Sequence, residues 1–283
     1  MGYLLLSILS SAAVTLLLRL FSHRQGNRFA LLLGNYLVCF GLAFFFLSDR
    51  RLVLRGSPVT LLCGGLGGFL FVGGLVCMQS SVKRSGAALT AAFSKLGLLV
   101  PLLISTVWFH ERPGLLQLAG IGLALGAILI LNNRRETTPA SSAPALALPL
   151  LTLFFVGASD GMAKVFERLG PRSEDALYFL YVFAVAAILA GALILLEKRK
   201  TGQGLTLKDL LRGAAVGVPN YFSSFLLLKA LARLQAVVVF PAFSVGTILT
   251  VTVLGALLFG EKLDRRQLWG LGCILLALVL LNL

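Results

Sequence analysis

The chain has 283 residues, of which 58% are apolar and only 13% charged, with a mean hydropathy of +0.94. So little charge cannot cover a water-soluble globule, and the charges that exist sit in short clusters between long apolar runs, which makes the lipid bilayer the solvent. The formal charge of +14, from 25 Lys and Arg against 11 Asp and Glu, does not point to nucleic acid. The basic residues lie beside apolar runs, as at Arg50, Arg51 and Arg55, at Arg134 and Arg135, and at Lys198, Arg199 and Lys200, and no aromatic-interleaved basic patch or zinc-finger spacing occurs.

About 20 apolar residues carry a helix across roughly 30 Å of hydrocarbon. The apolar runs predict ten such spans, at 3–20, 29–47, 59–79, 86–109, 115–131, 148–169, 176–196, 210–228, 236–259 and 267–281. They are continuous in Leu, Ala, Val, Phe and Gly without alternation of period two, so the fold class is an all-α integral membrane protein and not a transmembrane barrel. The first run lacks a basic leader, and Ser10, Ser11, Ala12 and Ala13 lie inside it, so it reads as a span and not as a signal peptide. Cys39, Cys63, Cys77 and Cys273 all fall within apolar runs, where cysteine acts as a small hydrophobe. No metal site and no cofactor is expected, since H-E-x-x-H, paired cysteines and a P-loop are absent from the sequence.

Compared with itself at an offset of 150, the chain aligns residues 92–133 with 242–283 without a gap, and 14 of the 42 columns are identical. Chance matching of Leu-rich segments gives roughly five. Polar identities carry the signal: Ser94 with Ser244, Glu111 with Glu261, Gln117 with Gln267 and Asn132 with Asn282, joined by Gly120 with Gly270 and Gly122 with Gly272. The reading is a duplication, with a first five-helix repeat at 1–133, a polar Ser/Thr/Pro-rich linker at 134–147 and a second repeat at 148–283. Five is odd, so the second copy enters the membrane with the opposite orientation, and the two are inverted repeats.

The junction Phe109-His110-Glu111-Arg112, followed by Gln117, Gly120 and Gly122, and its second copy Phe259-Gly260-Glu261-Lys262, followed by Gln267, Gly270 and Gly272, resemble the drug/metabolite transporter superfamily, and within it the EamA-like ten-helix permeases. The resemblance covers nearly the whole chain. It implies a secondary transporter of small metabolites, often an exporter, with a central cavity lined mainly by spans one, three, four, six, eight and nine. His110 departs from the pattern, which has Gly before the Glu.

An ionised side chain near the bilayer centre costs at least about 2.5–3.5 kcal/mol, so charges within spans point to function. Lys95 lies roughly 14 Å into span four at 1.5 Å per residue, too deep for its stem to reach the interface, and its counterpart in the second copy is Val245. Asp160 and Lys164 stand i, i+4 on span six, on one face and within pairing reach. Two lysines against one carboxylate leave an excess positive charge. That predicts an electropositive centre for an anionic group of the substrate, such as the carboxylate of an amino acid or a phosphate, with proton coupling through Asp160. Asn220 and Tyr221, just after Pro219, read as cavity residues beside a helix break, and Asn35 with Tyr36 as packing. Ser94, Ser244 and Thr247, on spans that carry Pro101 and Pro241, read as further lining. Glu111 and Glu261, just before spans five and ten, read as turn and capping residues. The pairs Gly64/Gly68, Gly122/Gly126, Gly157/Gly161 and Gly213/Gly217 have the spacing of close helix crossings.

Gly157-Ala158-Ser159-Asp160-Gly161 matches a nucleophile elbow in letters, but it lies in an apolar helical run, and the two histidines lie in a loop (His23) and at a span end (His110). The expected function is therefore that of a non-enzymatic permease in the inner (plasma) membrane, whose partners are the bilayer, a small-molecule substrate and a coupling proton, with a flippase for a lipid-linked sugar or phosphate as the alternative and an intramembrane hydrolase more remote. Loops after odd-numbered spans carry about 15 Lys or Arg and the others about eight, which places the termini outside, whereas the resemblance implies cytoplasmic termini.

Overall fold

The structure is a computed structural model that describes residues 1–22, 27–47, 49–132, 144–201, 205–259 and 265–281. In chain order its helices are α1 (Gly2–Ser22), α2 (Arg28–Phe45), α3 (Leu52–Arg55), α4 (Pro58–Ser85), α5 (Ala87–Leu96), α6 (Leu99–Leu103), which runs into a π-helical turn at Ile104–Trp108, α7 (Leu115–Asn132), α8 (Pro144–Leu169), a 3-10 turn at Arg172–Glu174, α9 (Asp175–Thr201), α10 (Leu207–Leu231), α11 (Ala236–Phe259) and α12 (Arg265–Leu281). There is no strand among the described residues. Among the described residues eight helical segments are long and apolar enough to cross a membrane, and two shorter apolar ones, Leu115–Ile130 and Leu268–Leu281, match the expected fifth and tenth spans.

Three details differ from the sequence expectation. Span four is broken in two at Gly97 and Leu98. Pro101 has no N–H, and its ring crowds the carbonyl four residues earlier, which is that of Gly97, so the helix stops there and restarts as α6. α10 instead runs unbroken through Pro219. α8 begins at Pro144, inside the expected linker.

The helices pack as two compact units, 1–72 with 165–230, and 73–164 with 231–283, each drawing on both halves of the sequence. In the first unit α2 packs along α9, and Tyr36, Phe71, Phe179, Phe183, Tyr221 and Phe225 form an aromatic core. Backbone contacts there need glycine. A Cβ on Gly213 of α10 would lie 2.0 Å from the Leu31 carbonyl oxygen of α2, and one on Gly68 of α4 would lie 2.4 Å from that of Val182 on α9. In the second unit α7 packs along α12, and a Cβ on Gly157 of α8 would lie 2.2 Å from the Gly97 oxygen at the break. Gly122 and Gly126 face open space, so that pair makes no helix crossing, contrary to its spacing.

These contacts give opposite signs for one substitution. Gly213→Ala should destabilise the protein by about 1–3 kcal/mol, because the backbone it meets cannot turn aside. Gly122→Ala should be neutral or stabilise by up to about 1 kcal/mol through helix propensity. Thermal unfolding in detergent measures both.

Buried carboxylates at helix ends complete the scaffold. Glu174, between α8 and α9, accepts from the Ser57 N–H and the Thr60 hydroxyl at the start of α4. Asp209 in the first turn of α10 accepts from the Asn27 N–H at 3.0 Å, and Asn27 itself caps α2 through Phe29 and Ala30. Each carboxylate thus serves the N-terminus of a helix distant in sequence, where free N–H groups and the positive end of the dipole favour it.

Candidate functional site

Lys95 occupies the last turn of α5, immediately before the break. A cation is favoured at a helix C-terminus, and broken helices place such ends inside the membrane. Gly157 brings α8 against the Gly97 backbone, and three residues further along α8 stands Asp160. Lys95 and Asp160 are charged neighbours, and each keeps part of its surface accessible. Opposite charges that lie within electrostatic range of one another keep hydrogen-bonding capacity for a ligand.

Lys164 is placed differently from the sequence reading. It is 1% exposed, and its ammonium lies 2.8 Å from Oε1 of Glu111. Glu111 also accepts from the Ala236 N–H at 2.9 Å, so it caps α11 and not span five, which it precedes. The chain invests in this placement: the π turn lets the Glu111 N–H reach the Ser105 carbonyl, and His110 takes a left-handed conformation with φ 54°. That backbone favours glycine, which accounts for the Gly that the resemblance leads one to expect there. Glu111 also corrects the charge count. Two lysines now stand beside two carboxylates, in the order Lys95, Asp160, Lys164, Glu111, so the excess positive charge on which an anion-selective centre was argued is absent.

Burial pushes the Glu111 carboxyl up, but the hydrogen bond and charge of Lys164, together with the Ala236 N–H, outweigh it and hold the group below the ordinary glutamate value. A depressed folded-state value stabilises the fold in full above the ordinary range, near 4.3, and that contribution is lost as pH falls through the folded value. Glu111→Gln should therefore flatten the acid side of a melting-temperature profile; an unchanged acid limb contradicts the assignment.

The remaining expected site residues divide between the units. Ser94 and Ser244 are partly accessible, and Thr247 is 2% exposed with a hydroxyl that has no partner among the described residues; all three belong to the second unit. Asn220 and Tyr221 belong to the first. There the Asn220 amide donates to Asn35 Oδ1 at 3.1 Å, and the Cys39 thiol donates to the Gly217 carbonyl at 3.2 Å, so Asn35 and Asn220 bridge α2 and α10. Tyr221 is fully enclosed, stacked on Phe46 and Phe225. Glu261 lies outside the described residues. The nucleophile-elbow lettering falls in the middle of α8, with no strand-to-helix turn to present Ser159. No cluster suited to a metal ion occurs among the described residues.

Apolar helices of spanning length, one of them broken just after Lys95, make this a multi-pass membrane protein. The model of the EamA-like transporter family matches residues 1–133 and 144–283, and the chain belongs to that family: it is a transporter and not an enzyme. It is 24% identical to an uncharacterized Haemophilus influenzae protein over 96% of this chain and 94% of that one. It is 30% identical to the glucose uptake protein GlcU of Staphylococcus xylosus over 53% of this chain and 48% of that protein. A protein of known crystal structure shares the fold, with a TM-score of 0.73, 14% identity and coverage of 98% of this chain and 94% of that one.

Proposed function

We propose that this chain is a secondary transporter of the inner (plasma) membrane that moves a small polar metabolite by alternating access between two inverted repeats, 1–133 and 148–283. Reciprocal packing supports the repeats. The third helix of the first copy, α4, sets Gly64 and Gly68 on α9, the second helix of the other copy. The third helix of the second copy, α10, sets Gly213 and Gly217, 149 residues further on, against α2. Second packs on second and fifth on fifth, as α2 with α9 and α7 with α12. A two-fold exchange of the copies leaves this pattern unchanged.

The observation that carries the substrate class is the partly accessible Lys95–Asp160 pair. With Lys164 engaged by Glu111, the pair offers one cation and one anion. A zwitterion of the amino-acid kind satisfies both, its carboxylate on Lys95 and its ammonium on Asp160. Protonation of Asp160 in the closed cavity is the route for a coupling proton. Purified protein in proteoliposomes should carry a radiolabelled neutral amino acid in preference to glucose, succinate or phosphate. Preference for glucose would shift the reading towards the activity named for the Staphylococcus relative, and no flux across the panel would favour translocation of a lipid-linked solute.

A further inference from the structure

Lys164 has acidic residues at pairing distance along its own helix, yet its ammonium meets a carboxylate from elsewhere in the chain. Asp160 stands i−4 on the same face of α8, the spacing at which a lysine and an aspartate pair readily. The structure instead gives Lys164 to Glu111, at 2.8 Å, while Asp160 lies within electrostatic range of Lys95. Glu111 comes from a turn 53 residues earlier, positioned through a π turn, a left-handed His110 and a bond to the first N–H of α11.

We propose that Glu111 is a specificity-determining positioning residue: by holding Lys164 it keeps that ammonium off Asp160, and so fixes the charge balance of the solute site without touching the solute. The inference rests on the reading of Lys95 and Asp160 as that site. A buried ammonium that loses its partner must find another. Without the charge of Glu111, Lys164 turns to Asp160, one helical turn away, and Lys95 is left in excess. The site then carries net positive charge and favours anions over zwitterions.

The test compares Glu111→Gln with Lys164→Met. Both break the same buried bond, so a purely structural role moves them alike. The proposal separates them. Glu111→Gln, whose amide oxygen still caps Ala236, should gain stabilisation by succinate at concentrations at least tenfold below any that affect the parent. Lys164→Met, and the double variant, should show no gain. Equal responses of the two single variants overturn the proposal. If Glu111→Gln is too unstable to purify, Glu111→Asp, which loosens the pair, must show a smaller gain in the same direction that Lys164→Met cancels; none at all overturns it.

A second readout needs no solute. In a double-mutant cycle of Asp160→Asn with Lys164→Met, coupling should be near zero in the parent background and appear in the Glu111→Gln background. Coupling absent from both overturns the inference and leaves the transport reading standing. Coupling as expected, in a protein that carries no zwitterion, retires the zwitterion reading and keeps the charge-setting role.

Discussion

Lys95→Met should end solute transport while leaving a folded protein. The ammonium is the cation at the end of α5, beside the only proline-driven break among the described membrane helices, and Val245 at the equivalent place in the second copy shows that the scaffold does not need a charge there. Methionine keeps the length and apolar stem of lysine and removes only the charge. Truncating one side of a desolvated charge pair typically costs about 2–5 kcal/mol of binding, or more than roughly 30-fold in affinity. The loss of fold stability should be smaller, because Asp160 keeps accessible surface and can take up a proton or water when its partner is gone. Counterflow in proteoliposomes, normalised to the amount of protein inserted, gives the number. Flux within a factor of two of the parent contradicts the site.

Lys164→Met should have the largest effect on stability. Glu111 and Lys164 have side-chain exposures of 5% and 2%, so removing the lysine leaves a carboxylate enclosed without its cation. Breaking such a pair costs about 3–5 kcal/mol, whereas removing both charges together is far milder. The double variant with Glu111→Gln should therefore recover most of the loss. Lys229→Met offers a contrast. Its ammonium lies 2.6 Å from Asp175 but is 36% exposed, so solvent screening reduces the expected cost to about 1 kcal/mol or less. Melting temperatures in one detergent and one lipid order the three variants.

Much of this protein is legible in its sequence because the bilayer imposes a simple rule, a run of about 20 apolar residues per span. The family is legible from Glu111, Gln117 and the glycines after them, repeated at an offset of 150. The pairing of charges was not. Asp160 and Lys164 satisfy the spacing rule that a single helix supplies, yet tertiary packing brings a second helix and a turn to them, and the bridge that forms joins Lys164 to Glu111, 53 residues away. Proline shows the same limit. Pro101 and Pro219 look alike in sequence, but only Pro101 follows a glycine at i−4 whose carbonyl is crossed closely by another helix, and only there does the helix break. Glu174 and Asp209 passed unnoticed for a related reason. Acidic residues in connecting turns and at helix starts usually meet water, and the N–H groups that these two cap lie 117 and 182 residues away.

Thermal unfolding of the purified protein against amino acids, sugars and phosphorylated metabolites reveals whether a solute binds at Lys95 and Asp160. A ligand at 100 times its dissociation constant stabilises the folded state by about 2.7 kcal/mol. Stabilisation of the parent by a zwitterionic amino acid, abolished by Lys95→Met and retained when Asn220 is replaced by Ala, is the predicted result; equal stabilisation of the parent and Lys95→Met would contradict it.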